Sequence, residues 1–110
     1  MARPQRNNNP SFPIWNPQRA TLSRIKGFDK KIAYKSFRNS SSGFIKRKDV
    51  RDYLFEKYSN ECVLCNSKKN LQIDHIFSVL HHFRYGLFSE CNTEENLQVL
   101  CKKCNTSKLP

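Results

Sequence analysis

Two cysteine pairs constrain this chain more than anything else in it. Cys62 and Cys65 form one C-x-x-C, and Cys101 and Cys104 form another. Each pair can turn two thiolates toward one point, and two pairs supply the four sulfur ligands that tetrahedral zinc takes. One pair alone would fit a redox dithiol equally well; two pairs in a basic chain point to one structural zinc site. The 35 residues between Cys65 and Cys101 exceed the interval of a simple zinc ribbon, so the insert is expected to be a functional unit. Cys91 is left over and is read as a free or packed thiol. At 110 residues the chain suits one small domain plus an appendage, and a core that small gains from a metal staple.

The opening residues, MARPQRNNNP, lack the apolar stretch of a secretory signal. No apolar run is long enough to span a bilayer, and no amphipathic anchor stands out, so no membrane partner is expected. The expectation is an intracellular chain with reduced or metal-bound cysteines. The charge is divided unevenly. Residues 1–60 hold 14 Lys/Arg against 4 Asp/Glu, a net of +10, whereas residues 61–110 hold 6 against 5, a net of +1. Four thiolates on one Zn²⁺ add a formal −2, which takes the second part to about −1. A basic half joined to a nearly neutral half suggests that the first attracts a polyanion and the second acts on it.

Residues 1–20, with Pro4, Pro10, Pro13, Pro17 and the run Asn7–Asn9, read as a flexible arm. Its apolar cluster, the aromatic Phe12 and Trp15 with Ile14 between them, either docks on the domain or stacks on bases, and docking is the simpler reading. Residues 21–58 read as a basic helical region. Leu22, Ile25, Phe28 and Ile32 recur at helical spacing over 21–38, and NSSSG at 39–43 reads as a linker or turn. KRKDVRDYLFEKY at 46–58 is the best helix, with Val50, Leu54 and Tyr58 on one stripe and Tyr53 beside it. Lys46, Arg47, Lys48 and Arg51 crowd its start, where the helix macrodipole disfavours cations. The cluster either serves a ligand such as phosphate or is a solvated charged turn.

Residues 59–110 read as the second unit. LQIDHI and NLQVLC are short strands, 77–95 is a long irregular segment, and a last helix begins near Lys102. Between and after the cysteine pairs come Asp74 and His75, then Asn96, then Asn105 nine positions further on, then Lys108. The string DHI … NLQVLCKKCNTSK, with the C-x-x-C pairs in order around it, resembles the HNH endonuclease family in its form with a four-cysteine zinc site. It is similar to small phage and mobile-element nucleases. The resemblance covers residues 61–108, and the basic first half carries no family motif.

The resemblance implies a small α+β chain with the ββα-metal (His-Me finger) fold, two strands and a helix around a divalent cation, stapled by zinc. It implies a metal-dependent DNA endonuclease. His75 is then the general base, Asp74 and Asn105 hold the catalytic cation, and Asn96 braces the loop bearing the histidine. Lys108, about one helical turn beyond Asn105, contacts a phosphate. A single such centre cuts one strand, so double-strand cleavage needs two chains, as in a homodimer, or two events; a phage or mobile-element partner protein is also compatible. The chemistry agrees: a near-neutral histidine can take a proton from water, and a hard cation can neutralise charge on the phosphate. Asp and Asn oxygens suit Mg²⁺ or Mn²⁺. The alternative is a catalytically silent zinc module that binds nucleic acid.

The chain departs from the family pattern twice. The last motif position is often His and is Asn105 here, a neutral oxygen ligand that favours Mg²⁺. The loop after the DH strand is the long FSVLHHFRYGLFSECNTEE. In it Phe77, Leu80, Leu87 and Phe88 are expected to pack the loop. Phe83, Arg84 and Tyr85 are within reach of DNA, and His81 and His82 read as surface histidines. Adjacent strand residues face opposite ways, so Asp74 and His75 take different tasks in one site. Ile73 and Ile76 are expected to anchor their strand to the core.

Overall fold

The computed structural model describes residues 12–17 and 30–108. Most of the expected arm, and the expected helical positions Leu22, Ile25 and Phe28, lie outside the described residues. The elements run α1 (Lys30–Ile45), α2 (Lys48–Lys57), β1 (Leu71–His75), α3 (Val79–Arg84), β2 (Leu97–Cys101) and α4 (Lys102–Ser107). Single 3-10 turns at Phe88–Glu90 and Glu94–Asn96 lead into β2. This is a small α+β arrangement around one antiparallel hairpin of β1 and β2.

Residues 39–43 are not a linker: α1 continues through NSSSG to Ile45. Its buried positions are Ala33, Phe37, Ser41 and Phe44, one stripe at helical spacing. Ile32, expected on the apolar stripe, is 64% exposed instead. Phe37 and Phe44 bracket the serine run and bury on both sides of it, and that packing outweighs the weak helix propensities of Asn, Ser and Gly. The Trp15 ring lies 5.5 Å from Phe37 and 6.3 Å from Phe44, and its Nε1 donates to Ser40 Oγ at 3.2 Å. Phe12 packs edge-on against Phe44 and Tyr53. The aromatic cluster therefore docks on the domain, while Ile14 points outward, 89% exposed.

Val50 and Leu54 of α2 meet Phe44, Leu97 and Val99 in the main core. Each such side chain contributes about 1.5–3 kcal/mol when fully buried. Tyr58 Oη donates to the Leu97 carbonyl, and Tyr53 Oη to Glu94, so α2 also holds the start of β2. The register pairs Leu71 with Cys101, Ile73 with Val99, Asp74 with Gln98 and His75 with Leu97. Leu71 and Ile73 pack on the core. Gln72 and Asp74 turn to the other face, where Asn105 and Lys108 of the α4 segment meet them. β1 ends at His75, so Ile76 lies beyond the sheet, 40% exposed, and does not anchor the strand.

The segment 77–95 is more ordered than its sequence suggests. Ser78 caps α3 by accepting from the His81 N–H at 3.0 Å. Val79 and Phe83, four apart on α3, pack on a second core of Phe37, Phe88 and Cys91. Phe83 is thus turned inward rather than toward a ligand. Phe77 and Leu80, expected to pack the loop, are 60% and 40% exposed: Phe77 precedes α3, and Leu80 lies on the face of α3 opposite its buried one.

Candidate active site

The four cysteines gather at one end of the hairpin, with all four Sγ atoms within 4.8 Å of one another. Cys65 Sγ and Cys101 Sγ are 3.6 Å apart. Zinc with bonds of about 2.3 Å places its sulfur ligands about 3.8 Å from each other, so the set fits one ion. The first pair sits in a tight turn: Cys62 N–H donates to the Ser67 carbonyl at 2.8 Å, and Asn66 N–H donates to that of Cys62 at 2.9 Å. Asn66 takes a left-handed backbone, φ 65°, which asparagine tolerates. The second pair opens α4, where Cys101 Sγ accepts from the Cys104 N–H at 3.4 Å. Crowding splits the thiols. Burial opposes ionisation of Cys62, but backbone N–H groups led by that of Cys101 bring it down to about 6. The hydrogen bond to Cys101, with burial second, pushes Cys104 up to about 12. Four thiolates this close need a cation among them.

At the other end of the hairpin lies a pocket of about 590 Å³, whose lining includes Asp74, His75, Asn105 and Lys108. The two strand neighbours do face different ways. His75 turns to the α1 side, where its Nε2 lies 2.7 Å from Asn92 Oδ1 and 3.2 Å from Ser41 Oγ. Ser41 Oγ itself donates to Asn92 Oδ1 at 2.9 Å, and Asn92 Nδ2 donates to the Ser41 carbonyl at 3.2 Å. Both partners are buried. Burial lowers the His75 pKa below its usual value; the Asn92 hydrogen bond and the Asp74 charge oppose this without reversing it. The shift favours the neutral imidazole.

Asp74 turns to the α4 side and is almost wholly buried. Its Oδ2 accepts from Gln98 Nε2 at 3.0 Å and from Lys108 Nζ at 2.7 Å. The same ammonium also donates to the carbonyls of His75 and Ile76. Three oxygens from three consecutive residues thus converge on one positive charge. Asn105 lines the same pocket; its Nδ2 donates to Gln72 Oε1 at 2.7 Å, which leaves its Oδ1 as an acceptor. These oxygens form a donor set suited to a hard divalent cation, and the Lys108 ammonium stands where such a charge is favoured.

Asn96 is buried beneath the loop that follows β1. Its Oδ1 accepts from the Phe77 N–H at 2.8 Å, its Nδ2 donates to the Phe77 and Cys91 carbonyls, and its own carbonyl accepts from the Ile76 N–H. Lys46, Arg47, Lys48 and Arg51 do not line the pocket. Arg47 pairs with Asp49 and Lys48 with Asp52, both at 2.6 Å and both exposed. The Arg51 guanidinium lies over the Phe55 ring. His82 is buried, with Nδ1 3.0 Å from the Ser78 carbonyl, rather than at the surface, and His81 lines the pocket.

Sequence reasoning missed Ser41, Asn92, Gln72 and Gln98. The glutamines carried a weak signal, since the strand register pairs or flanks them with Asp74. Ser41 and Asn92 carried none, because NSSSG and CNTEE read as turns. Residues 62–109 match the family model described as HNH endonuclease, a span that holds both cysteine pairs and every residue that lines the pocket, but not Ser41 behind His75. No curated protein and no solved structure matches the chain. Among the described residues, no helix is long and apolar enough to cross a membrane.

Proposed function

We propose that this chain, whose residues 62–109 match the family model described as HNH endonuclease, hydrolyses phosphodiester bonds of DNA with the help of one Mg²⁺ or Mn²⁺. The observation that carries the reading is the convergence of Asp74 Oδ2 and the His75 and Ile76 carbonyls on a single cationic position, beside a neutral His75. Asp74 and Asn105 hold the cation. When bound, it supplies positive charge at the phosphate and leaving oxygen.

The protein's own groups do the rest. His75 commits Nε2 to Asn92 and Ser41, so Nδ1 is the nitrogen free to take a proton from water. Asn96 keeps the loop after His75 in one shape through its paired contacts to Phe77. The four cysteines hold structural zinc and fix the hairpin from its far end. Lys108 contacts the substrate phosphate once the carboxylate has another cation. Lys46, Arg47, Lys48 and Arg51 add phosphate contacts outside the pocket. The ion pairs of Arg47 and Lys48 are exposed and worth little, so a phosphate can replace the carboxylate at small cost.

One observation favours a second reading. Lys108 already neutralises Asp74, as expected of a silent zinc module that binds nucleic acid without cutting it. Supercoiled plasmid incubated with the zinc-loaded chain and Mg²⁺ or Mn²⁺ separates the two. Relaxed or linear product that disappears in His75→Ala supports the nuclease. Intact plasmid with every divalent cation, or full cleavage by His75→Ala, rejects it.

A further inference from the structure

α3 is a ridge between two clefts. Val79 and His81 border the candidate catalytic pocket. Leu80, Phe83 and Arg84 border a second cleft of about 620 Å³, shared with Lys30, Lys31 and Tyr34. Along the crest, Phe77, His81 and Tyr85 follow one another at four-residue intervals, with ring centroids 5.3 and 4.9 Å apart. Phe77 is 60% and Tyr85 69% exposed. Large aromatic rings left in water cost free energy, and here Phe77 and His81 line the pocket with Tyr85 next in the row, rather than being scattered over the surface.

We propose that the Phe77–His81–Tyr85 ladder is a stacking platform for an unpaired base of the nucleic-acid substrate, next to the bond to be cut. The inference rests on the nuclease reading of the adjoining pocket and adds a substrate class to it: DNA with an unstacked nucleotide at the cleavage point. Three features select this occupant. Phe77 and His81 belong to the wall of the pocket that would hold the scissile phosphate, so the neighbouring base lies at the crest. Cations flank the ridge on both sides, Lys108 in one cleft and Lys30, Lys31 and Arg84 in the other, matching a backbone that runs across it. Exposed ring faces stack on bases of any identity, but only on bases whose own faces are free. In a paired duplex those faces are covered by neighbouring pairs.

The test is binding of the zinc-loaded chain to a duplex carrying 2-aminopurine, either paired or as a one-nucleotide bulge, with no added Mg²⁺ or Mn²⁺. The bulged duplex is expected to bind roughly tenfold tighter, with the fluorescence of the unpaired base changed on binding. Phe77→Ala and Tyr85→Ala are each expected to remove most of that preference, and Tyr85→Ala, which lies outside the pocket lining, is expected to leave affinity for the paired duplex and the zinc content as they were. Both residues are exposed, so neither change opens a cavity. Equal affinity for the two duplexes overturns the proposal, as does an undiminished preference in both variants. A dimer of the chain that Tyr85→Ala dissociates, with no change in DNA binding, also overturns it and marks the crest as a self-association face. Because no strand is cut, a chain that binds as expected but fails the plasmid assay refutes the nuclease reading alone.

Discussion

Ser41 and His75 are 34 positions apart, yet Ser41 Oγ lies 3.2 Å from His75 Nε2. Both share one acceptor, Asn92 Oδ1. Asn92 is oriented by its second contact, Nδ2 donating to the Ser41 carbonyl. An oxygen that faces Nε2 requires the proton on that nitrogen. The tautomer of the candidate base is therefore set partly by α1, a helix that precedes the matched family segment. The basic half of the chain thus contributes directly to the surroundings of His75.

Removing Asn92 tests this arrangement. Asn92→Ala leaves the buried Ser41 hydroxyl without its oxygen acceptor and takes from the imidazole N–H the nearer of its two, at a cost of about 1–3 kcal/mol in urea unfolding. Cleavage falls with it, because the ring loses its fixed tautomer. Asn92→Asp instead puts a carboxylate beside Nε2, raises the His75 pKa, and shifts the acid limb of the pH–rate profile upward. An unmoved limb in that variant disconnects Asn92 from the base.

The wild-type pH profile has a stated direction. Burial lowers His75 below its ordinary 6.5, so cleavage persists below pH 6.5 and declines only as the lowered pKa is crossed. Folding stability follows the same group. The unfolded chain takes up the proton first, so this contribution is complete above pH 6.5. It is lost as pH falls toward the folded-state value, and is constant below that. The difference in urea midpoint between wild type and His75→Gln isolates it. A difference that grows with acidity below pH 6.5 would contradict the sign.

Gly43 offers a test of the helix through NSSSG. A β-carbon there meets no atom within 4 Å, and the residue lies inside α1. Gly43→Ala is expected to stabilise the chain by about 0.5–1 kcal/mol, read as a raised Tm. A lowered Tm would mean that the segment is not helical in solution.

Removing zinc should unfold the hairpin end rather than merely silence it. A chelator strong enough to strip the ion leaves four crowded thiols with nothing to hold them. Loss of the β signal in circular dichroism, reversed by adding Zn²⁺, is the expected outcome. Retention of native spectra in the zinc-free chain would show that the core is sufficient alone.

Cys91 gives an internal control for thiol chemistry. It is completely buried, and burial pushes its thiol up to about 11. At pH 8 the folded, zinc-loaded chain is expected to resist alkylation at Cys91, and denaturant is expected to release it. Rapid modification at Cys91 in the native state would contradict its packing against Phe37 and Phe88.

Much of the matched segment was legible because its chemistry is local. The C-x-x-C pairs announce one shared four-sulfur cluster by their spacing, and both strands announce themselves through alternating or continuous apolar residues. The helical serine run was not legible, since Ser and Gly give weak local signals and Phe37 and Phe44 decide the matter through packing. Ser41 and Asn92 lie 51 residues apart, and no pattern within either stretch points to the other. Leu80 was misread because composition cannot tell which face of a short helix turns inward.

The register of the hairpin links its two ends in a further way. Leu71 faces Cys101 where the thiols gather, and His75 faces Leu97 where the pocket opens. Slippage by a single residue would exchange the directions of Asp74 and His75 and at the same moment draw Cys101 out of alignment with its partners. The sulfur cluster thus acts as a phase lock on the strand. An ion held by all four sulfurs would keep the five pairs in step, and with them the opposite facings of Asp74 and His75. Partial assembly offers no intermediate grade of competence.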